Sequence, residues 1–356
     1  MQSNSSTIAS YQSCSYAQNS DENIHVVLAV YDPSGTYSQH AGVVMTSIFE
    51  NTKSKVTVHI LHDDTLTEEN KQKFIRTAEK YSQGLNLVNV SEYAESLSKQ
   101  VKKAAEHWTI GTLYRLFIPE ILPELEKVIY LDCDVIVNLD ISELWNVDIE
   151  HKSLGAVLDE VPEILKAYSA RNLQLRLIRA DKKTYVNAGV LVMNLHKIRS
   201  CSNFSETILE YMTRYAHLLM CPDQDAFNLI FSGDIKILDT KFNVYKLNQN
   251  LSGCIIHMWA EKPWRIFCGA EHERLYWKYY LLSAWGDNIT PEGMMLKLSD
   301  LASRSQVEPK PRQPILRRFA KFLWHIVPNI IRKYMQETYR VGKILCKYVS
   351  HGMIRP

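Results

Sequence analysis

The chain has no run of about 18 consecutive apolar residues, so none of it reads as a membrane-spanning helix. Its first twenty residues, MQSNSSTIASYQSCSYAQNS, have neither a basic start nor an apolar stretch. Residues 1–22 are therefore expected to be polar disorder rather than a secretory signal. There is no CxxC pair among the seven cysteines, Cys14, Cys133, Cys201, Cys221, Cys254, Cys268 and Cys346. Reduced thiols in a cytosolic compartment fit this pattern better than a disulfide framework or a zinc cluster. Neither GxGxxG nor GxxxxGKS/T occurs, which argues against a dinucleotide fold or a P-loop enzyme. Net charge is scarce too, only +2 over 356 residues. That balance argues against a nucleic-acid partner.

The mean hides an asymmetry. Residues 309–356 hold eleven Lys or Arg against one acid, Glu337, a charge of +10 that leaves −8 for the rest. An acidic body with a basic tail suggests a surface-binding segment. The whole chain is 46% hydrophobic and 22% charged, enough to bury a full core.

Along the chain, IHVVLAVY from Ile24 reads as a buried strand, followed by the turn residues DPSGT and a helix through Phe49. KVTVHIL (Lys55 to Leu61) reads as a second strand, and a helix capped by Thr67 follows. LNLVNV is a third strand, GTLYRLFIPEIL a helix stopping near Pro123, and KVIYLD, LGAVLD and GVLVMNL are further strands. Strands alternating with helices, apolar on both faces, predict an α/β fold with a single mostly parallel twisted sheet flanked by helices. The predicted boundaries are a catalytic domain at 23–288, a connecting segment at 289–314 and a basic helical extension at 315–356.

VIYLDCDVIV, residues 128 to 137, sets two carboxylates inside an apolar run. Ionised carboxylates there are costly unless paired or metal-bound. At a strand's carboxyl end in an open α/β sheet they suit a hard divalent cation, with phosphate oxygens completing its shell. A strand emerging into a solvated turn is the plain alternative.

Four ordered blocks decide between these: TLYRLFIPEILPELEKVIYLDCDVIV, YVNAGVLVMNL, CPDQDAFNLIF and IIHMWAEKPW. Together, residues 24 to 268 resemble the family 8 glycosyltransferases, which include lipopolysaccharide galactosyl- and glucosyltransferases and glycogenin. The resemblance implies a GT-A fold, a UDP-sugar donor, Mn²⁺ or Mg²⁺, and transfer of a hexosyl unit with retention. By that resemblance Asp132, Asp134 and His257 are the metal ligands. Lys262 neutralises the diphosphate leaving group. Arg115 bridges diphosphate or sugar with its fork of donors. Asn187 and Ala188 contact the donor sugar, Gly189 lets the backbone pass close to the ligand, and Asp223 and Gln224 lie beneath the sugar. Asp159 stands near the sugar hydroxyls. Cys133 and Ala29 join the donor contacts, with Ala29 making room for the base.

Two departures stand out. Ala260 and no glycine lies between His257 and Lys262, and Tyr31 stands where the family has an acid on uracil, with Asp32 one place later. Uracil is then read by Asp32 or by stacking on Tyr31. Retention ordinarily calls for a carboxylate nucleophile, but the family's nearest side chain is the Gln, here Gln224. The resemblance thus implies front-face substitution, with Gln224 stabilising charge and Asp225 holding a helix start.

After Pro314, Leu316, Phe319, Leu323 and Val327 make one apolar stripe, and Ile331, Tyr334, Val341, Leu345 and Tyr348 another, with Lys and Arg on the other faces. Pro328 separates two helices. Such a segment suits an anionic membrane surface or docking on the body. The expected acceptor is a lipopolysaccharide, glycolipid or saccharide, read by residues 160–184, and the expected place is the inner face of the cytoplasmic membrane. No specific nucleic acid is expected. The same metal residues also suit a hydrolase of nucleotide sugars, or a non-catalytic membrane-associated scaffold that binds them.

Overall fold

The computed structural model describes residues 23–305, apart from 94, 96–109, 160–173, 179, 202, 216–217, 246, 248–249 and 260–261. The N-terminal polar segment, Ala260, much of the acceptor stretch and the basic tail lie outside the described residues. The chain divides into two units, Met1–Glu308 and Pro309–Pro356, and every described residue belongs to the first.

The strands are β1 (Ile24–Val30), β2 (Val56–His62), β3 (Gly84–Asn89), β4 (Lys127–Leu131), β5 (Val135–Asn138), β6 (Leu154–Leu158), β7 (Val186–Asn194), β8 (Ile235–Ile237) and β9 (Cys254–His257). Seven make one sheet in the order β3-β2-β1-β4-β7-β6-β8. Only β7 runs against its neighbours, antiparallel to both β4 and β6. The expected mostly parallel sheet is therefore present, and beside it lies a small antiparallel pair, β5 with β9, that the sequence did not announce. Helices α1 (Ser38–Asn51), α2 (Glu68–Lys80), α3 (Phe204–Tyr215), α4 (Pro222–Ile230), α5 (Glu271–Leu282) and α6 (Pro291–Ser305) flank the sheets.

Successive strand residues face opposite sides, and here both sides are apolar. Val27, Val128, Tyr130, Leu191 and Met193 pack in one cluster, while Val26, Leu28, Ile129, Leu131, Val190 and Val192 pack in another. That is why these strands read as unbroken apolar runs. Thr67 caps α2 as expected, its hydroxyl accepting the Asn70 N–H.

Two segments differ from expectation. Ile110–Phe117 is a 3-10 helix, followed by one α-turn, Ile118–Ile121. Pro119 has no N–H to donate back to residue 115, so an α-helical ladder cannot run through it. The stretch read as a connecting segment contains α6, whose Met294, Leu298 and Leu301 recur at helical spacing and pack into a third apolar cluster.

This topology has a switch point, the place where open α/β sheets bind ligands. β1 has β2 on one side and β4 on the other, so the strand order reverses direction there. Because β7 is reversed, its first residues reach the same edge at which β4 ends, and Leu131 pairs with Val190.

Candidate active site and metal centre

Asp132 and Asp134 follow β4, and His257 ends β9 opposite Val135. One ligand atom from each of the three lies within 4.8 Å of the others. His257 Nε2 is 3.2 Å from Asp134 Oδ1. That oxygen is fully buried and accepts no hydrogen bond, an expensive state without a cation beside it. The donor set, two carboxylates and an imidazole, suits a divalent ion of the Mn²⁺ type. The Asp134 carboxyl sits well below the usual carboxylate range; burial works against this, but Lys262 and then His257 outweigh it. Lys262 Nζ touches Asp134 Oδ2 directly.

Asp132 is held from three sides. Its N–H donates to the Gly189 carbonyl at 2.8 Å. Its Oδ1 accepts the Tyr130 hydroxyl at 2.9 Å and lies 2.8 Å from Arg115. Arg115 also reaches Asp223 at 3.1 Å, donates to the Ala188 carbonyl at 2.9 Å and lies over the Tyr130 ring. Burial opposes its charge, yet Asp132 foremost holds the guanidinium above its ordinary value. Burial raises the Asp223 carboxyl, with Arg115 opposing.

The donor-sugar residues named by sequence form one hydrogen-bonded set. Gln224 Oε1 accepts from Asn187 Nδ2 at 2.9 Å and from the Ala188 N–H at 3.0 Å, while its Nε2 donates to Asp159 Oδ2 at 2.9 Å. Asn187 Oδ1 accepts the Gly189 N–H and Asn243 Nδ2. Asn243 Oδ1 faces His257 Nδ1 at 2.8 Å. Gly189 has a reason to be glycine: a Cβ there would meet His257 Cε1 at 2.4 Å and Asp132 Oδ2 at 2.8 Å. Asp225 holds the start of α4 as expected, accepting the N–H groups of Met220 and Cys221.

Three residues stand apart from this cluster. Asp32 is fully buried, and its carboxylate accepts the N–H groups of Tyr37 and Ser38, the Ser38 hydroxyl and the Asn70 amide. It serves the amino end of α1, whose first turn has no acid of its own. The Cys133 thiol is buried and donates to the Ala29 carbonyl, tying β1 to the acidic turn. Tyr31 is half-buried, its Cβ packed so close to Gly111 that no side chain fits there.

Sequence reasoning missed Tyr37, Tyr130, His40 and Asn243. Tyr130 had a signal, since strand alternation sets it on the face of Asp132. Burial raises the Tyr37 phenol well above its ordinary value, and the charges of Cys133, Asp134 and Asp132 add to this. His40 stacks on Trp264 at 3.8 Å and bonds Tyr276 at 2.7 Å, anchoring the turn that carries Lys262.

The family model for glycosyl transferase family 8 matches residues 29–267. The chain belongs to glycosyltransferase family 8. A putative glycosyltransferase of Haemophilus influenzae is 29% identical over 223 residues, 62% of this chain and 64% of that protein. The match thus spans just under two thirds of that relative's length. A lipopolysaccharide 1,2-glucosyltransferase of Escherichia coli is 27% identical over 272 residues, 70% of this chain and 76% of the other. The galactosyltransferase LgtC, crystallised with donor and acceptor sugar analogs, has a TM-score of 0.61 at 22% identity, covering 77% of this chain and 100% of its own. That likeness shows a shared fold, the GT-A arrangement expected of family 8. Among the described residues no helix is long and apolar enough to cross a membrane.

Proposed function

We propose that this family 8 glycosyltransferase moves a hexosyl unit from a UDP-sugar to a saccharide or glycolipid acceptor, with retention at the anomeric carbon. The observation that carries this reading is the meeting of Asp132, Asp134 and His257 around a buried carboxylate oxygen that accepts no hydrogen bond. These three residues would hold Mn²⁺ or Mg²⁺. Such an ion, when bound, supplies positive charge for the diphosphate oxygens.

Lys262, now on Asp134, is positioned to turn toward the diphosphate and stabilise the leaving UDP. Arg115 holds Asp132 and Asp223 in place by its fork of donors. Gln224 is a poor nucleophile because two N–H groups already occupy its carbonyl oxygen. Its Nε2, bonded to Asp159, fixes that carboxylate near the place proposed for the sugar. Front-face substitution follows. The bond from C1 to the phosphate oxygen breaks, the acceptor hydroxyl gives its proton to that oxygen, and the new C1–O bond forms on the same face. With Asp32 spent on α1, base contact falls to Tyr31 and to the ring of Tyr37, which is 39% exposed. Asn187, Ala188 and Asp223 complete the donor pocket.

The basic tail would bring the enzyme to an anionic membrane surface at the cytoplasmic face, where a lipid-linked acceptor lies. The test is a panel of UDP-sugars with Mn²⁺, read as UDP release. Cation-dependent release from at least one UDP-hexose, abolished by chelator, is expected; silence toward every UDP-sugar overturns the reading. Co-sedimentation with anionic vesicles, with and without residues 309–356, tests the tail, and equal pelleting defeats its membrane role.

A further inference from the structure

Asn243 is a residue that the sequence reading did not single out. It follows the short 3-10 turn Thr240–Phe242 and is 2% exposed. The next residue is pinned to β9 twice: the Val244 N–H donates to Ile255, and its carbonyl accepts from His257. The Asn243 side chain is thereby held against the His257 ring, with 2.8 Å between its Oδ1 and Nδ1.

Which atom of this amide faces the imidazole is fixed by main-chain groups, because a backbone N–H can only donate. The Gly189 N–H points at Asn187 at 2.8 Å, so the atom it meets is Asn187 Oδ1. The Ala188 N–H likewise fixes Gln224 Oε1, which leaves Asn187 Nδ2 to donate to it. Asn187 Oδ1 then demands a donor from Asn243, at 2.9 Å, and this turns the Asn243 carbonyl toward His257. An acceptor facing Nδ1 puts the imidazole proton there. Nε2 is then the nitrogen that faces the cation site, 3.2 Å from the buried Asp134 Oδ1; with no cation it pairs with that carboxylate, and a bound cation would take its lone pair. The other tautomer would need the Asn243 amide reversed, with its oxygen against the Asn187 oxygen.

We infer that Asn243 is a positioning residue: it fixes His257 in the Nδ1–H form and aims Nε2 at the cation site, and through Asn187 and Gln224 it ties the metal ligand to the donor-sugar residues. Residues behind a metal-bound histidine set its tautomer and basicity, and their loss typically costs roughly 10- to 100-fold in metal affinity. This inference rests on the metal-site reading above, but its first readout needs no metal.

The test uses the full chain. Long-range ¹⁵N–¹H correlation on metal-free protein reads the His257 tautomer, and titration with Mn²⁺ alone reads affinity. Wild type is expected to show Nδ1–H. Asn243→Leu offers no acceptor and should lose Nδ1–H in a sizeable fraction, with Mn²⁺ binding weakened roughly 10- to 100-fold. Asn243→Asp keeps an oxygen toward Nδ1 but loses the donor to Asn187; it should keep Nδ1–H while breaking the tie to Asn187, a split that a merely space-filling role would not give. Asn243→Ser, too short to reach the ring, gives the same reading as Leu if the Leu variant does not fold. A wild-type Nδ1 that carries no proton, or unchanged Nδ1 protonation and Mn²⁺ affinity in folded Leu and Ser variants, overturns the inference. A wild type that binds no Mn²⁺ or Mg²⁺ while showing Nδ1–H instead overturns the metal-site reading and leaves the tautomer assignment standing.

Discussion

Gly189→Ala adds one methyl group where the structure has no room for it. Ala has no backbone objection to a strand, so the effect is steric. The new Cβ would lie 2.4 Å from His257 Cε1, where ordinary contact begins near 3.4 Å, so the ring must retreat by about 1 Å. Asp132 Oδ2 at 2.8 Å and Asn187 Oδ1 at 3.0 Å block the other directions. The ring is also held by Asn243 behind it. Overpacking of this kind costs typically about 1–3 kcal/mol. A displaced ligand should weaken Mn²⁺ binding by at least about tenfold, as loss of support behind a ligand does. Thermal melting measures the first effect and calorimetric titration with Mn²⁺ the second. A variant that melts with wild type and binds Mn²⁺ within twofold would refute the claim that Gly189 is dictated by the metal site.

Arg115→Met removes the cation between Asp132 and Asp223 while keeping much of its volume; we expect a loss of about 3–5 kcal/mol in denaturant unfolding, because the buried Asp223 and the half-buried Asp132 lose their shared partner. Asp32→Ala strips three hydrogen-bond donors of α1 and the Asn70 amide of their acceptor; it should cost about 1–3 kcal/mol and leave UDP affinity, measured calorimetrically, unchanged. His40 is pushed down to about 3, by burial first and then by Lys262. The unfolded histidine takes a proton below about 6.5 and the folded one does not, so its contribution is complete above that pH and falls away toward pH 3. At pH 5 wild type should have lost about 2 kcal/mol more than His40→Gln, relative to pH 7.5, in urea titrations at each pH.

The residues that were legible in the sequence share a physical cause. β1, β4 and β7 lie between two apolar layers, so nothing polar interrupts them, and Asp132 and Asp134 stood out by breaking such a run. Gln224 and Asn187 were readable from the ordered motif blocks, and the structure joins them by a hydrogen bond. What escaped depends on partners far along the chain. Asn243 matters through residues 14 positions ahead and 56 behind. The pairing of β5 with β9 joins two four-residue strands that carry no signal for each other. Asp32 was one of two candidates for uracil because an acid after β1 can serve a ligand or a helix end, and its hydrogen bonds to α1 emerge only from the packing of that helix.

The β5–β9 pair has a consequence for how the chain tolerates insertion and deletion. His257 stands across from Val135, the residue after Asp134, within a ladder only four residues long. Side chains along a strand alternate in direction, so a slip of one residue would turn the imidazole to the opposite face while every apolar residue of β9 still found an apolar neighbour. Lengthening the turns outside this ladder leaves the register intact, whereas a single codon gained or lost inside either strand would give a protein that folds its main sheet and has only two of its three candidate metal ligands.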